Sequence, residues 1–197
     1  MIRQSAILIG LLAAGSALFA ASPPSSAQDQ AGWITLLDGT NLDNWNLTGD
    51  ANWRIVDGAA QADMGSGHLV SKESYGDFEL RAEFWVDEPA NSGIFIRCDN
   101  PAMPSAATCY EVNIFDTRPD PSYGTGAIVN LATIENMPKA GGQWNTYEIM
   151  AQGDHLVITL NGRRTVDIRD GARASGPVTL QYGTGVVKFR RVEIRPL

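Results

Sequence analysis

Between Phe78 and Phe84 apolar and polar residues alternate without a break, and Trp85-Val86 extend the run. A period of two is the signature of a strand buried on one face, so this stretch commits the chain to sheet. Phe78, Leu80, Ala82, Phe84 and Val86 share one face, and Glu79, Arg81, Glu83 and Trp85 share the other. The same rhythm runs through residues 94–97 and 110–115. Residues 155–160 and 163–168 flank Asn161-Gly162. That pair supplies both positive-φ positions of a type I′ turn, which predicts a β-hairpin. Residues 178–182 and 187–194 read as closing strands. The 20 glycines and 10 prolines provide turns between them, and no helical periodicity follows residue 27. The expectation is all-β, an antiparallel sandwich or barrel of short strands.

Alternation also assigns faces to the polar residues. Tyr110, Val112 and Ile114 face a core and leave Glu111, Asn113 and Phe115 opposite; Ile94 and Ile96 leave Phe95 and Arg97 opposite. If these strands are neighbours, one sheet face gathers Glu79, Arg81, Glu83, Trp85, Arg97, Glu111 and Asn113. Acids beside aromatic rings suit carbohydrate, which offers hydroxyls at its rim and C–H groups to a ring. The competing reading is an ordinary solvated face.

The N-terminus reads as a targeting segment. Arg3, an uncharged apolar run from Ile7 to Ala21, then Pro23, Pro24 and Ser25-Ser26-Ala27 match a secretory signal peptide over residues 1–27. A short linker over 28–32 and one domain over 33–197 are expected to follow. The apolar run is shorter than the ~20 residues of a membrane span, and no cysteine follows it, so no membrane or lipid anchor is expected. The leader carries one charged residue, Arg3. The chain as a whole has a net charge of −7 and no basic cluster, which excludes nucleic acid as a partner. A secreted or periplasmic location follows.

Cys98 and Cys109 are the two cysteines, and an oxidising compartment favours a bridge between them. Closing so short a loop is worth about 3 kcal/mol in the chain-entropy model. A zinc site would need a second Cys or His pair at ligand spacing. There is a parity conflict, because Cys98 continues the Ile94/Ile96 face while Cys109 shares parity with Glu111. A bulge or an early strand end has to intervene.

Taken in order, the motifs resemble a known family. They begin with Leu36-Leu-Asp-Gly-Thr-Asn-Leu-Asp-Asn-Trp45, Trp53-Arg-Ile-Val-Asp-Gly58 and Tyr75-Gly-Asp-Phe-Glu-Leu80. Asn91-Ser-Gly-Ile-Phe-Ile-Arg97 and Tyr110-Glu-Val-Asn-Ile-Phe-Asp116 follow, then Trp144-Asn-Thr-Tyr-Glu-Ile149 and Gly176-Pro-Val-Thr-Leu-Gln181, and the series ends in Phe189-Arg-Arg-Val-Glu-Ile-Arg-Pro-Leu197. From about residue 33 onward the chain is similar to the 3-keto-disaccharide hydrolase domain family. The resemblance implies a concanavalin A-like jelly roll of two antiparallel sheets with a glycan site on a concave face. It departs from the family at Asn113, where Gln is frequent, and in the loop between the cysteines.

The chemistry that the resemblance implies needs three groups. A ketone at C3 acidifies the C2 hydrogen, so a carboxylate can remove it and the enolate can expel the C1 substituent; water adds afterwards. The reaction calls for a base near C2, a donor or cation at the C3 oxygen, and an acid for the leaving oxygen. Glu111 is the candidate base or metal ligand, Arg97 the enolate stabiliser and Glu83 the second carboxylate. Trp85 is the stacking candidate, with Asn113, Gln181, His68 and Lys72 as substrate contacts. His68 follows Gly65-Ser66-Gly67 in an expected loop, and Asn91-Ser92-Gly93 reads first as a turn. No ligand spacing demands a cofactor; a divalent cation held by carboxylates is the alternative to Arg97.

Each candidate has a structural alternative. Glu111 and Arg97 can simply pair across strands, and Glu79, Arg81 and Glu83 can form surface ion pairs worth little. Two other functions remain open. A non-catalytic glycan-binding module shares this type of fold. A laminarinase-type hydrolase would use E-x-D-x-x-E, where this chain has Glu111, Asn113 and Asp116; an amide cannot serve as the central carboxylate.

Overall fold

The computed structural model describes residues 32–197. The expected leader (1–27) and all but the last residue of the expected linker (28–32) lie outside the described residues. The strands are β1 (Ile34–Leu37), β2 (Trp45–Gly49), β3 (Arg54–Val56), β4 (Ala59–Ala62), β5 (Gly67–Tyr75), β6 (Phe78–Val86) and β7 (Asn91–Ile96). They continue with β8 (Tyr110–Ile114), β9 (Trp144–Gln152), β10 (His155–Leu160), β11 (Arg163–Arg169), β12 (Gly176–Thr184) and β13 (Val187–Pro196). Among the described residues the one helical element is a single 3-10 turn, Pro121–Tyr123.

Two antiparallel sheets form. One runs β11-β10-β9-β6-β13-β4-β3, with β1 also paired to β13; the other runs β2-β5-β12-β7-β8. The chain crosses from one sheet to the other repeatedly, which makes the sandwich a jelly roll. Phe78, Leu80, Phe84 and Phe189 of the larger sheet are buried in one cluster with Leu69, Ile94, Val112 and Leu180 of the smaller. The alternation read from Phe78 to Val86 is therefore the core face of β6. The β10–β11 hairpin closes through Asn161 (φ 51°) and Gly162 (φ 77°), and the Asn161 side chain accepts from the Thr146 amide at 2.8 Å.

The expected single polar face does not form. β6 lies in the larger sheet, while β7 and β8 lie in the smaller. Alternation places a residue on a face but cannot say which sheet owns the strand. Glu83 and Trp85, opposite the buried Phe84, point outward from the larger sheet, on the far side of the sandwich from Glu111. There Glu83 pairs with Arg190 at 2.7 Å and Arg191 at 3.6 Å, and Lys188 lies 5.0 Å from the Trp85 ring centre. His68 and Asn91-Ser92-Gly93, expected in a loop and a turn, lie on β5 and β7.

Arg97 resolves the cysteine parity conflict. It follows β7 in the left-handed conformation, φ 51°. That single residue breaks the alternation and brings Cys98 round to the outer side, where it bridges Cys109. The Arg97 side chain turns inward instead and is fully buried. It donates to the carbonyl oxygens of Gly76 (2.9 Å), Gly153 (2.7 Å) and Arg173 (3.1 Å), and to the Asp77 carboxylate (2.9 Å). All three nitrogens of its fork are engaged in joining turns, so it faces neither Glu111 nor the sheet surface.

Candidate functional site

The outer face of the five-stranded sheet carries two rows of side chains set by strand register. The first crosses all five strands as Thr48, His68, Gln181, Gly93 and Asn113. The second, one pleat along, reads Asn46, Val70, Thr179, Phe95 and Glu111. At about 4.8 Å per strand, each row spans about 19 Å. Of the expected contacts, the sheet thus brings together Glu111, Asn113, Gln181 and His68. Lys72 continues the parity of His68 and Val70 along β5 and is exposed, beyond both rows.

Polar atoms on this face are buried yet unsatisfied. Thr48 Oγ1, His68 Nε2, Asn113 Oδ1, Thr179 Oγ1 and Gln181 Oε1 have no hydrogen-bond partner. Buried polar atoms are nearly always paired, and five exceptions on one face of one sheet mark a surface shaped for a polar ligand. Gly93 sits among them. A Cβ there would stand 3.6 Å from both Gln181 Oε1 and the Glu111 side chain, and 3.1 Å from the Val112 carbonyl oxygen. The glycine leaves bare floor between a carboxylate and an amide.

Glu111 and His68 are both half-buried, and that partial burial sets the electrostatics. Desolvation pushes the Glu111 carboxyl up to about 7 and lowers His68 to about 4. Glu111 is therefore a strong carboxylate base poised near neutrality, and His68 is a neutral imidazole throughout that range. Asn113 is held from below: its Nδ2 donates to the Tyr123 carbonyl oxygen, and Tyr147 Oη donates to the Asn113 carbonyl oxygen at 2.6 Å.

Asp116 does not supply a second acid. Its carboxylate accepts from Thr125 Oγ1 (2.6 Å) and from the amides of Ala140 and Gly141 (both 2.8 Å). These bonds fasten the segment that follows β8. Among the described residues no three His, Cys, Asp or Glu side chains gather as a metal site. The polar groups on this face are one carboxylate, one imidazole, three amides and two hydroxyls, which do not fit a cation held by protein carboxylates.

Thr48 and Thr179 were not expected here, whereas Phe95 was placed on this face by its parity against Ile94 and Ile96, and Gly93 was read first as part of a turn and only second as part of a site. Thr179 shares parity with Gln181 inside an expected strand, so the signal was present. Thr48 lies on β2, whose short sequence Trp-Asn-Leu-Thr-Gly does not announce a strand.

A model of the 3-keto-alpha-glucoside-1,2-lyase-like domain matches residues 32–195. The chain belongs to that family. A 3-keto-disaccharide hydrolase of Bacteroides thetaiotaomicron is 26% identical over 171 residues, covering 71% of this chain and 59% of that protein. The chain thus spans under two thirds of the relative's length. Among solved structures, a candidate glycosyl hydrolase of Parabacteroides distasonis matches with a TM-score of 0.75 at 18% identity, covering 84% of this chain and 94% of the other. The carbohydrate-binding module CBM66 of Bacillus subtilis matches with a TM-score of 0.56 at 16% identity, covering 83% and 95%. These two likenesses bear on the fold of the chain alone.

Proposed function

We propose that the chain is an exported enzyme that cleaves 3-keto glycosides by elimination across C1 and C2, with Glu111 as the base. The observation that carries this reading is Glu111 itself, a desolvated carboxylate beside the bare floor of Gly93 and amid unpartnered polar atoms. The family's name, a 1,2-lyase of 3-keto-alpha-glucosides, and the Bacteroides relative's name support it.

Glu111 takes the C2 proton, and the C2–H electron pair moves into the C3 carbonyl as an enolate. The enolate collapses, restoring C3=O, forming C1=C2 and breaking the bond from C1 to the aglycone oxygen. The proton held by Glu111 passes to that oxygen, and water then adds across C1=C2. The enolate oxygen is stabilised by uncharged donors, the Gln181 amide and neutral His68, in place of Arg97. Asn113, Thr179 and Thr48 bind sugar hydroxyls. Residues 1–27 direct export, and residues 33–197 form the working domain.

Incubation with a 3-keto glucoside in heavy water tests the reading. The expected result is released aglycone with deuterium incorporated at C2 of the 3-keto sugar. Inertness towards 3-keto sugars together with tight binding of unoxidised glycans would instead make the domain a glycan-binding module.

A further inference from the structure

Phe95 is buried on the wrong side of its sheet. It projects from the outer face of β7, away from the main core, yet is only 1% exposed. With Cys98 and Cys109 it forms a second, separate apolar cluster. The bridge reaches that side only because Arg97 breaks the strand's alternation, and Arg97 is locked by its four donations to turns. Through Phe95 the cluster meets one ionisable member of the two rows and neighbours the other. His68 packs edge-on to the Phe95 ring, with centroids 5.2 Å apart and planes at 84°. Glu111 lies directly opposite Phe95 in the ladder, two residues beyond Cys109.

We propose that Phe95 and the Cys98–Cys109 bridge act as a positioning wedge, a dry block that fixes the His68 ring and limits the access of water to the Glu111 carboxylate. Neither Phe95 nor the bridge touches substrate; they act through the two side chains they support. The inference rests on the catalytic reading for its purpose, but its physical content stands without it.

The surroundings leave the wedge as the agent. Thr48, Gln181, Thr179, Asn113 and the backbone of Val129, which donates to the Glu111 carbonyl oxygen, are uncharged. Lys72 is exposed farther along β5, and Asp99 in the bridged loop pairs with Arg173. For both His68 and Glu111, desolvation is the cause of the displaced ionisation.

The test follows both groups by carbon-13 NMR titration of labelled Glu and His in the full chain. Phe95→Leu and the double variant Cys98→Ala with Cys109→Ala are compared with wild type, and Glu111→Gln assigns the signal. In both variants Glu111 should titrate lower, moving from about 7 towards 4.5. His68 should titrate higher, moving from about 4 towards 6.5. Shifts of about one pH unit or more are expected. The pH at which turnover of a 3-keto glucoside rises should move down with Glu111. Should loss of the bridge prevent folding, Phe95→Leu carries the test alone. Folded variants that titrate like wild type overturn the wedge, as would a wild type in which both groups titrate at ordinary values. Because the titration needs no sugar, a wild type inert on 3-keto glucosides would remove the catalytic reading and leave the wedge standing.

Discussion

Replacing Glu111 by glutamine keeps the shape and removes the base. Turnover of a 3-keto glycoside should fall by a factor on the order of 10²–10⁴, measured as aglycone release, while sugar binding persists. The same variant reports on burial. Because folding raises the Glu111 pKa from 4.5 to about 7, its contribution to stability is fully present below 4.5 and is lost as pH rises through 7. Glu111→Gln should therefore melt higher than wild type at pH 8, and the advantage should vanish in acid. Each kcal/mol regained is worth about 2–4 °C. Gly93→Ala places a methyl between Gln181 and Glu111; sugar affinity should drop at least about tenfold, read by calorimetry. Glu83→Gln, on the far side of the sandwich, should leave turnover within about twofold, as surface ion pairs are weak. Period-two parity sufficed to put Glu111 and Asn113 on an outer face. It could not tell Glu83 and Trp85 apart from them, because strand partnership is a long-range property that no local pattern encodes.

Strands were legible where apolar alternation is strict. β6, β10 and β11 could be read directly, the last two through the Asn161-Gly162 turn. β5 could not, since its polar run Ser71-Lys72-Glu73-Ser74 sits at a register shift against β12 and spoils the alternation. That loss moved His68 from a strand to a loop in the expectation. At the end of β7 the sequence signalled only a conflict between the cysteines; the left-handed residue that settles it is an arginine, a poor advertisement for positive φ. Its side chain makes it a joint between elements. Arg97→Met would strip three carbonyl oxygens of this donor, while Asp77 keeps the Gly153 amide, and at about 1–3 kcal/mol for each buried acceptor left unpaired it should cost about 3 kcal/mol or more, measured by urea unfolding. Its mark on catalysis should follow the fraction folded.

Across the whole molecule the two sheet faces have opposite characters. On the outer side of the larger sheet, Glu79, Glu83 and Glu148 each meet an arginine, and Lys188 and Arg190 lie over Trp85 and Trp144. That face meets most of its polar needs internally, with Arg195 Nε the exception. The smaller sheet keeps five buried polar atoms unanswered on one face, so among the described residues the unmet demand for hydrogen bonds is concentrated there. A ligand that meets this demand binds the native state alone and must raise its melting temperature. At one hundred times its Kd the gain is about 2.7 kcal/mol, or about 5–10 °C for a domain of this size. Heat can thus serve as the assay: a panel of oxidised and unoxidised sugars, ranked by the warmth each lets the protein survive, would name the ligand before any product is identified.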